Sequence, residues 1–199
     1  MSDAGAPRRA AALFAYGSLV SAASAAQTLG GRRVAPRPAV LRGWRRAFTL
    51  RRDNRRSEKT FARVDDGSVP DWVLGLNLEP AGEGDRVNGT LIEVDEDELD
   101  RLDLREIRYL RRDVTDGIDA PAGCDRVVTY VAREENHAPK PPPGAVILAT
   151  YVEAVERAFA ELGASELAEY RRTTDVPAVE VVEGTLVRDR IPEGNPRTW

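Results

Sequence analysis

Few side chains in this sequence are of types that do chemistry. It holds one histidine, His137, and one cysteine, Cys124, which excludes an internal disulfide, a cysteine zinc cluster and a histidine-rich metal site. His137 sits in the loop composition Asn136-His137-Ala138-Pro139, and both residues read as ordinary side chains. Ser18 lacks a base of the right kind to become a covalent nucleophile. Two stretches remain. Leu13-Phe14-Ala15-Tyr16-Gly17-Ser18-Leu19 is an apolar run closed by small residues. A strand ending this way leaves N–H groups facing outward, which suits a carboxylate or a developing oxyanion. Gly17 allows a sharp turn and a close backbone approach. The second stretch runs from Leu102 to Val114 and places one carboxylate, Glu106, among Arg105, Arg108 and Arg111. On residue types alone Glu106 reads as an ion-pair partner.

The surrounding pattern supplies elements to position both stretches. Ala11 to Tyr16 is short and apolar, the signature of a buried strand. Ser21 to Leu29 reads as an Ala-rich helix capped by Ser21 and stopped by Gly30-Gly31. Trp72 to Leu78 alternates, with Trp72, Leu74 and Leu76 on one side and Val73 on the other. Val87 to Val94 is a further strand in which Gly89 marks a bulge or a close approach. Asp95 with Glu98 three residues on forms a helix start with a back-reaching acid, and Leu99 and Leu102 face inward. That helix ends near Glu106, and Tyr109 to Thr115 reads as the next strand. A Gly/Pro/Asp-rich turn through Gly123 leads to a strand over Arg126 to Ala132. Glu134 to Gly144, with four prolines, is a stiff loop. Val146 to Leu162 reads as the clearest helix, with Leu148, Val152, Val155, Phe159 and Leu162 as its inner stripe. Ser165 to Arg172 is a short helix and Ala178 to Val187 a late strand. This is an α+β pattern: a frayed end over 1–9, one domain over 10–187 and a polar tail over 188–199.

Tyr16-Gly17-Ser18-Leu19 after a strand, followed by Leu102-Asp103-x-Arg105-Glu106-x-x-Tyr109-x-Arg111-x-x-Val114, resembles the γ-glutamylcyclotransferase-like superfamily. The resemblance spans residues 11–165, its specific parts about twenty positions. It implies a small twisted mixed β-barrel flanked by helices. It also implies an enzyme that cyclises a γ-glutamyl group to 5-oxoproline and releases an amine, without metal or cofactor. Glu106 then occupies the place of the catalytic glutamate. The backbone N–H groups of Gly17, Ser18 and Leu19 hold the α-carboxylate or oxyanion, with Tyr16 beside them. Tyr151 stands where relatives carry a tyrosine that contacts substrate, and Tyr109 is a further substrate-side candidate. Two departures leave the released amine open. The usual γ-glutamylcyclotransferase loop has Asn where this chain has Leu19. The glutathione-specific branch shares Tyr-Gly-Ser-Leu but continues with Ile and an aromatic, where Val20 and Ser21 follow here.

Charge bears on partners. With 29 basic and 33 acidic residues the net charge is −4, so no global field calls for nucleic acid or membrane. No apolar run approaches the length of a membrane span. Locally, Arg42 to Lys59 carries seven arginines and Lys59, interleaved with Trp44 and Phe48. The bland account is an edge strand and hairpin with an arginine face. The alternative is a non-catalytic binding module that uses Arg42–Arg56 to engage an acidic partner, or an enzyme that docks an acidic γ-glutamyl carrier there. Arg8-Arg9 before Ala10–Ala15 has the outline of a twin-arginine export signal, but Tyr16, Gly17 and Ser18 interrupt its apolar core. Retention in the cytoplasm is the expectation.

Overall fold

The computed structural model describes residues 11–118, 124–193 and 195–196. The frayed end over 1–9, the centre of the turn before Cys124 and parts of the tail lie outside the described residues.

The first strand, β1 (Ala11–Ala15), is wholly buried, as its lack of polar side chains demands. It sits at the centre of a five-stranded sheet. There it runs antiparallel to β6 (Arg86–Val94) and parallel to β8 (Arg126–Ala132). β2 (Arg37–Arg42) lies outside β6, and β7 (Tyr109–Asp113) outside β8. A second five-stranded sheet is built on β3 (Trp44–Asp53) and β5 (Trp72–Pro80). The two-residue β10 (Thr174–Asp175) borders β3, while β9 (Ala145–Leu148) and then β11 (Glu180–Val182) extend the other side. A separate ribbon pairs β4 (Lys59–Arg63) with β12 (Gly184–Asp189). The two large sheets pack on one core, with Leu13 and Phe14 of the first meeting Phe48, Leu74, Leu76 and Leu78 of the second in a single cluster. Parallel and antiparallel pairs are mixed, and four α-helices flank the sheets. The fold is α+β, a small twisted mixed barrel with flanking helices.

Gly89 is a close approach. A Cβ built there would lie 2.3 Å from the Ala15 carbonyl oxygen and 2.8 Å from Phe14 Cζ, so only glycine lets β6 lie against β1. The helix α1 (Ala22–Thr28) starts where Ser21 accepts a hydrogen bond from the Ser24 N–H at 3.4 Å. The helix α2 (Glu96–Arg105) carries the full reciprocal capping box between Asp95 and Glu98, a start worth about 1 kcal/mol.

Several expectations are corrected. Val146–Leu148 belongs to β9, and the helix α3 spans Ala149–Leu162. Ala-Val-Ile-Leu is apolar on both sides because β9 is covered on both faces, so it merges with the helical stripe in sequence. The late strand is two strands, broken at Glu183, that join different sheets. Its second half reaches Asp189, two residues into the segment read as a tail. The strand expected over Trp72 to Leu78 is present within β5, and both of its faces are covered. The arginine-rich β3 is not an edge strand with an arginine face: β5 and β10 flank it, and Arg46 is fully buried.

Candidate active site

The helix α2 places its carboxylate by ending. Glu106 is the C-cap, where its N–H still donates to Leu102 O at 2.8 Å and its carbonyl accepts from the Tyr109 N–H at 2.8 Å. The chain then enters β7, which β8 separates from β1 in the same sheet. Across the gap the β1 strand breaks at Gly17 into a short 3-10 turn over Ser18–Val20. Ser18 and Leu19 open that turn, so their N–H groups have no partner within it. One cavity of about 50 Å3 is lined by Tyr16, Gly17, Ser18 and Leu19 together with Glu106, Tyr109 and Tyr151. A larger one of about 160 Å3 shares Ser18, Glu106, Tyr109 and Tyr151 and continues outward past Arg52, Glu58, Lys59 and Phe61.

Burial holds the Glu106 carboxyl above its ordinary value of 4.5, while Arg105 and, more weakly, Arg108 pull against that rise. Its side chain keeps 17% exposure, turned to the cavity. Glu106 is therefore both paired and open: Arg105 Nε donates to its Oε1 at 3.1 Å. The same guanidinium, 6% exposed, donates to Ser18 Oγ at 3.2 Å and Ser24 Oγ at 3.1 Å, and also reaches Thr28 Oγ1. One buried cation ties the carboxylate, the loop after β1 and helix α1 together.

The tyrosines are fixed by neutral contacts. Tyr109 Oη donates to Leu76 O at 2.7 Å, and Tyr16 Oη to Tyr130 O at 2.7 Å. Burial raises the phenol pKa of both well above 10.0. Tyr151, at the start of α3, packs edge-on against Phe48 with centroids 6.3 Å apart. Its Oη lies 3.4 Å from where a Gly17 Cβ would be, so a side chain at Gly17 would crowd this hydroxyl. Tyr16 belongs to the buried core cluster and also lines the smaller cavity.

A family model described as gamma-glutamyl cyclotransferase, AIG2-like, matches residues 13–146. The chain belongs to that family. Three solved structures share its fold at low identity. A gamma-glutamyl cyclotransferase has 16% identity and a TM-score of 0.53, with 86% of this chain and 93% of that one covered. Human LOC79017 has 16% identity and a TM-score of 0.56, covering 92% and 93%. YkqA of Bacillus subtilis has 21% identity and a TM-score of 0.51, covering 81% of this chain and 52% of its own. No curated protein sequence matches the chain. The family match ends before Tyr151 and before β12, so part of the cavity wall comes from residues beyond it.

Sequence reasoning reaches the Arg105–Glu106 ion pair, which the structure holds at 3.1 Å, but not the links from Arg105 to Ser18, Ser24 and Thr28. Arg105 follows the buried Leu102 by three positions on α2, and an arginine at that spacing is the available signal. Arg52 was counted into a basic surface, yet it shares strand parity with the buried Leu50 and lines the cavity with it. Most of the basic run has internal partners. Arg45 pairs with Glu79, Arg51 lies over Trp72, and Arg55 pairs with Asp71. Arg46 donates to Tyr16 O, to Asn88 O and Oδ1, and to the hydroxyls of Thr173 and Thr174. No helix among the described residues is long and apolar enough to cross a membrane.

Proposed function

We propose that the protein is a γ-glutamyl cyclotransferase that converts a γ-glutamyl compound to 5-oxoproline and a free amine, with Glu106 as the proton carrier. The observation that carries this reading is a carboxylate raised by burial on a cavity wall it shares with the Tyr16–Leu19 loop. A γ-glutamyl substrate brings its own nucleophile, so the protein has to supply geometry and proton transfer. The Ser18 and Leu19 N–H groups receive the α-carboxylate or the oxyanion, and Tyr109 and Tyr151 close the sides.

The reaction balances with the carboxylate alone. Glu106 takes a proton from the substrate ammonium, and the amine nitrogen attacks the γ-carbonyl carbon to form the ring C–N bond. Glu106 returns that proton to the departing nitrogen as the old C–N bond breaks. The second proton shed by the ring nitrogen follows the same route, and the products are the lactam and an ammonium.

The test is 5-oxoproline release from γ-glutamyl-alanine, glutathione, γ-glutamyl-ε-lysine and γ-glutamyl alkylamines, with wild type beside Glu106→Gln. Release by wild type and a loss of about a thousandfold or more in the variant is the expected result. Silence of wild type across the whole panel would overturn the proposal.

A further inference from the structure

The larger cavity has a chemical bias that the reaction itself does not require. Its charged lining is four cations, Arg52, Lys59, Arg105 and Arg108, against two carboxylates, Glu58 and Glu106. The bias is not evenly spread. Arg105 is spent on Glu106, Ser18, Ser24 and Thr28. Arg108 holds Glu58 in a two-point pair at 2.8 and 2.6 Å, and Lys59 stands 3.6 Å from Asp189. Arg52 differs from all three. Among the described residues it makes no ion pair, and its contacts are long: Lys59 O at 3.3 Å, Asn54 Oδ1 at 3.4 Å and the face of Phe61 at 5.2 Å. Burial, with the cation of Arg108 adding to it, pushes its pKa down to about 10, against only the pull of Glu58. A half-buried guanidinium on a cavity wall, with no carboxylate in ion-pair contact among the described residues, is an anion receptor waiting for its anion.

The position of Arg52 says which part of a substrate it meets. The Tyr16–Leu19 loop lines the smaller cavity, and Arg52 lines only the larger one, with Glu106 on the wall common to both. If the γ-glutamyl head occupies the loop end, as the proposed function requires, the leaving group extends toward Arg52. Glu58, already paired with Arg108, does not offer a cationic amine a comparable free receptor.

We infer that Arg52 is a specificity-determining residue which binds a carboxylate on the leaving amine, so that the substrates are γ-glutamyl amino acids or peptides and not γ-glutamyl alkylamines. The inference rests on the cyclotransferase reading, and its test separates the two. Two compounds of one shape are compared, γ-glutamyl-alanine and γ-glutamyl-alaninamide, which differ only in the charge of the leaving group. Each is assayed for 5-oxoproline release with wild type, Arg52→Met and Arg52→Lys. Their binding to Glu106→Gln and to the double variant Glu106→Gln/Arg52→Met is measured by calorimetry.

Wild type should prefer the carboxylate by about 10- to 100-fold in kcat/KM, the range of a charge-assisted hydrogen bond. Arg52→Met should erase that preference, chiefly by raising KM for the carboxylate compound, and Arg52→Lys should restore part of it. The calorimetric affinities should show the same preference and the same loss. Equal use of the two compounds by wild type, or a fall in both alike with Arg52→Met while circular dichroism shows a folded protein, would overturn the inference and leave the cyclotransferase reading standing. No release from either compound and no binding to Glu106→Gln would instead remove the reading beneath it.

Discussion

Arg105 Nε and the Glu106 carboxylate stand 3.1 Å apart, neighbours in sequence at the end of one helix, and the cation is the more deeply buried of the two. The pair is held off-balance: burial favours the neutral acid, Arg105 favours the carboxylate, and burial wins. The proton carrier of the proposed reaction would be well served by such a balance.

Arg105→Gln removes the weaker side of that balance. The acid limb of the pH profile for 5-oxoproline release should move to higher pH, and kcat should fall because Ser18 and Glu106 lose their common anchor. Stability in urea should drop by about 3 kcal/mol, the cost of breaking a buried pair. Arg105→Lys should recover the limb in part, since lysine supplies the charge from a single point. An unmoved limb in Arg105→Gln would show that the arginine does not tune Glu106.

Glu106 also predicts how stability follows pH. Its folded pKa lies above the unfolded value near 4.5, so between these two values the folded state binds more protons than the unfolded state. This contribution is therefore fully present below pH 4.5 and is lost as pH rises through the folded pKa. Glu106→Gln lacks it. The stability of the variant relative to wild type should climb across that window and stay level above it. Denaturant midpoints of both proteins from pH 4 to pH 8 check the sign.

Gly89→Ala should be among the most damaging single-methyl changes in the chain. The added carbon would fall 2.3 Å from a backbone oxygen of β1, and backbone cannot swing aside as a side chain can. A loss of about 2–3 kcal/mol is expected, read from thermal or urea unfolding. Gly84→Ala, where nothing lies within 4 Å, is the control and should cost little.

The arginines of β3 and its hairpin should divide sharply. Arg46, with no exposed surface, lies 4.4 Å over Tyr170 and 5.0 Å over Phe159. Arg46→Met leaves the buried Tyr16 and Asn88 acceptors unsatisfied, at about 1–3 kcal/mol for each group. Arg56, whose side chain is 90% exposed, should accept serine without a measurable change. Comparable losses at both positions, measured by urea unfolding, would contradict this division.

These two arginines also mark where the sequence was legible and where it was not. The turn after β1, the capping box of α2 and the Gly89 approach are written in neighbouring residues, and local chemistry finds them. The α+β class follows from the strand and helix periods, and Tyr16 to Leu19, Glu106, Tyr109 and Tyr151 came from short motifs together with a resemblance. What could not be read is what depends on distant pairing. Arg46 and Arg56 look alike in a basic run, and only the arrival of β10 and α4 (Ala164–Arg172) over one of them makes it core. Arg52 looks like surface until the ribbon of β4 and β12 and Ile191 close one side of the cavity. Val146–Leu148 looks helical because full burial erases the alternation that betrays a strand.

The ribbon carries a consequence for how the protein is made. Among the described residues β4 pairs with β12 alone, and Lys59 faces Asp189 across the pair. On a ribosome, β4 is complete long before that partner is synthesised, and during the interval it is a bare strand edge bearing Phe61 next to a row of arginines. Such an edge invites pairing with other chains, and the long separation makes its closure one of the slower steps of folding. The yield of folded protein should therefore depend on residues 184–189, although they line neither cavity at Glu106.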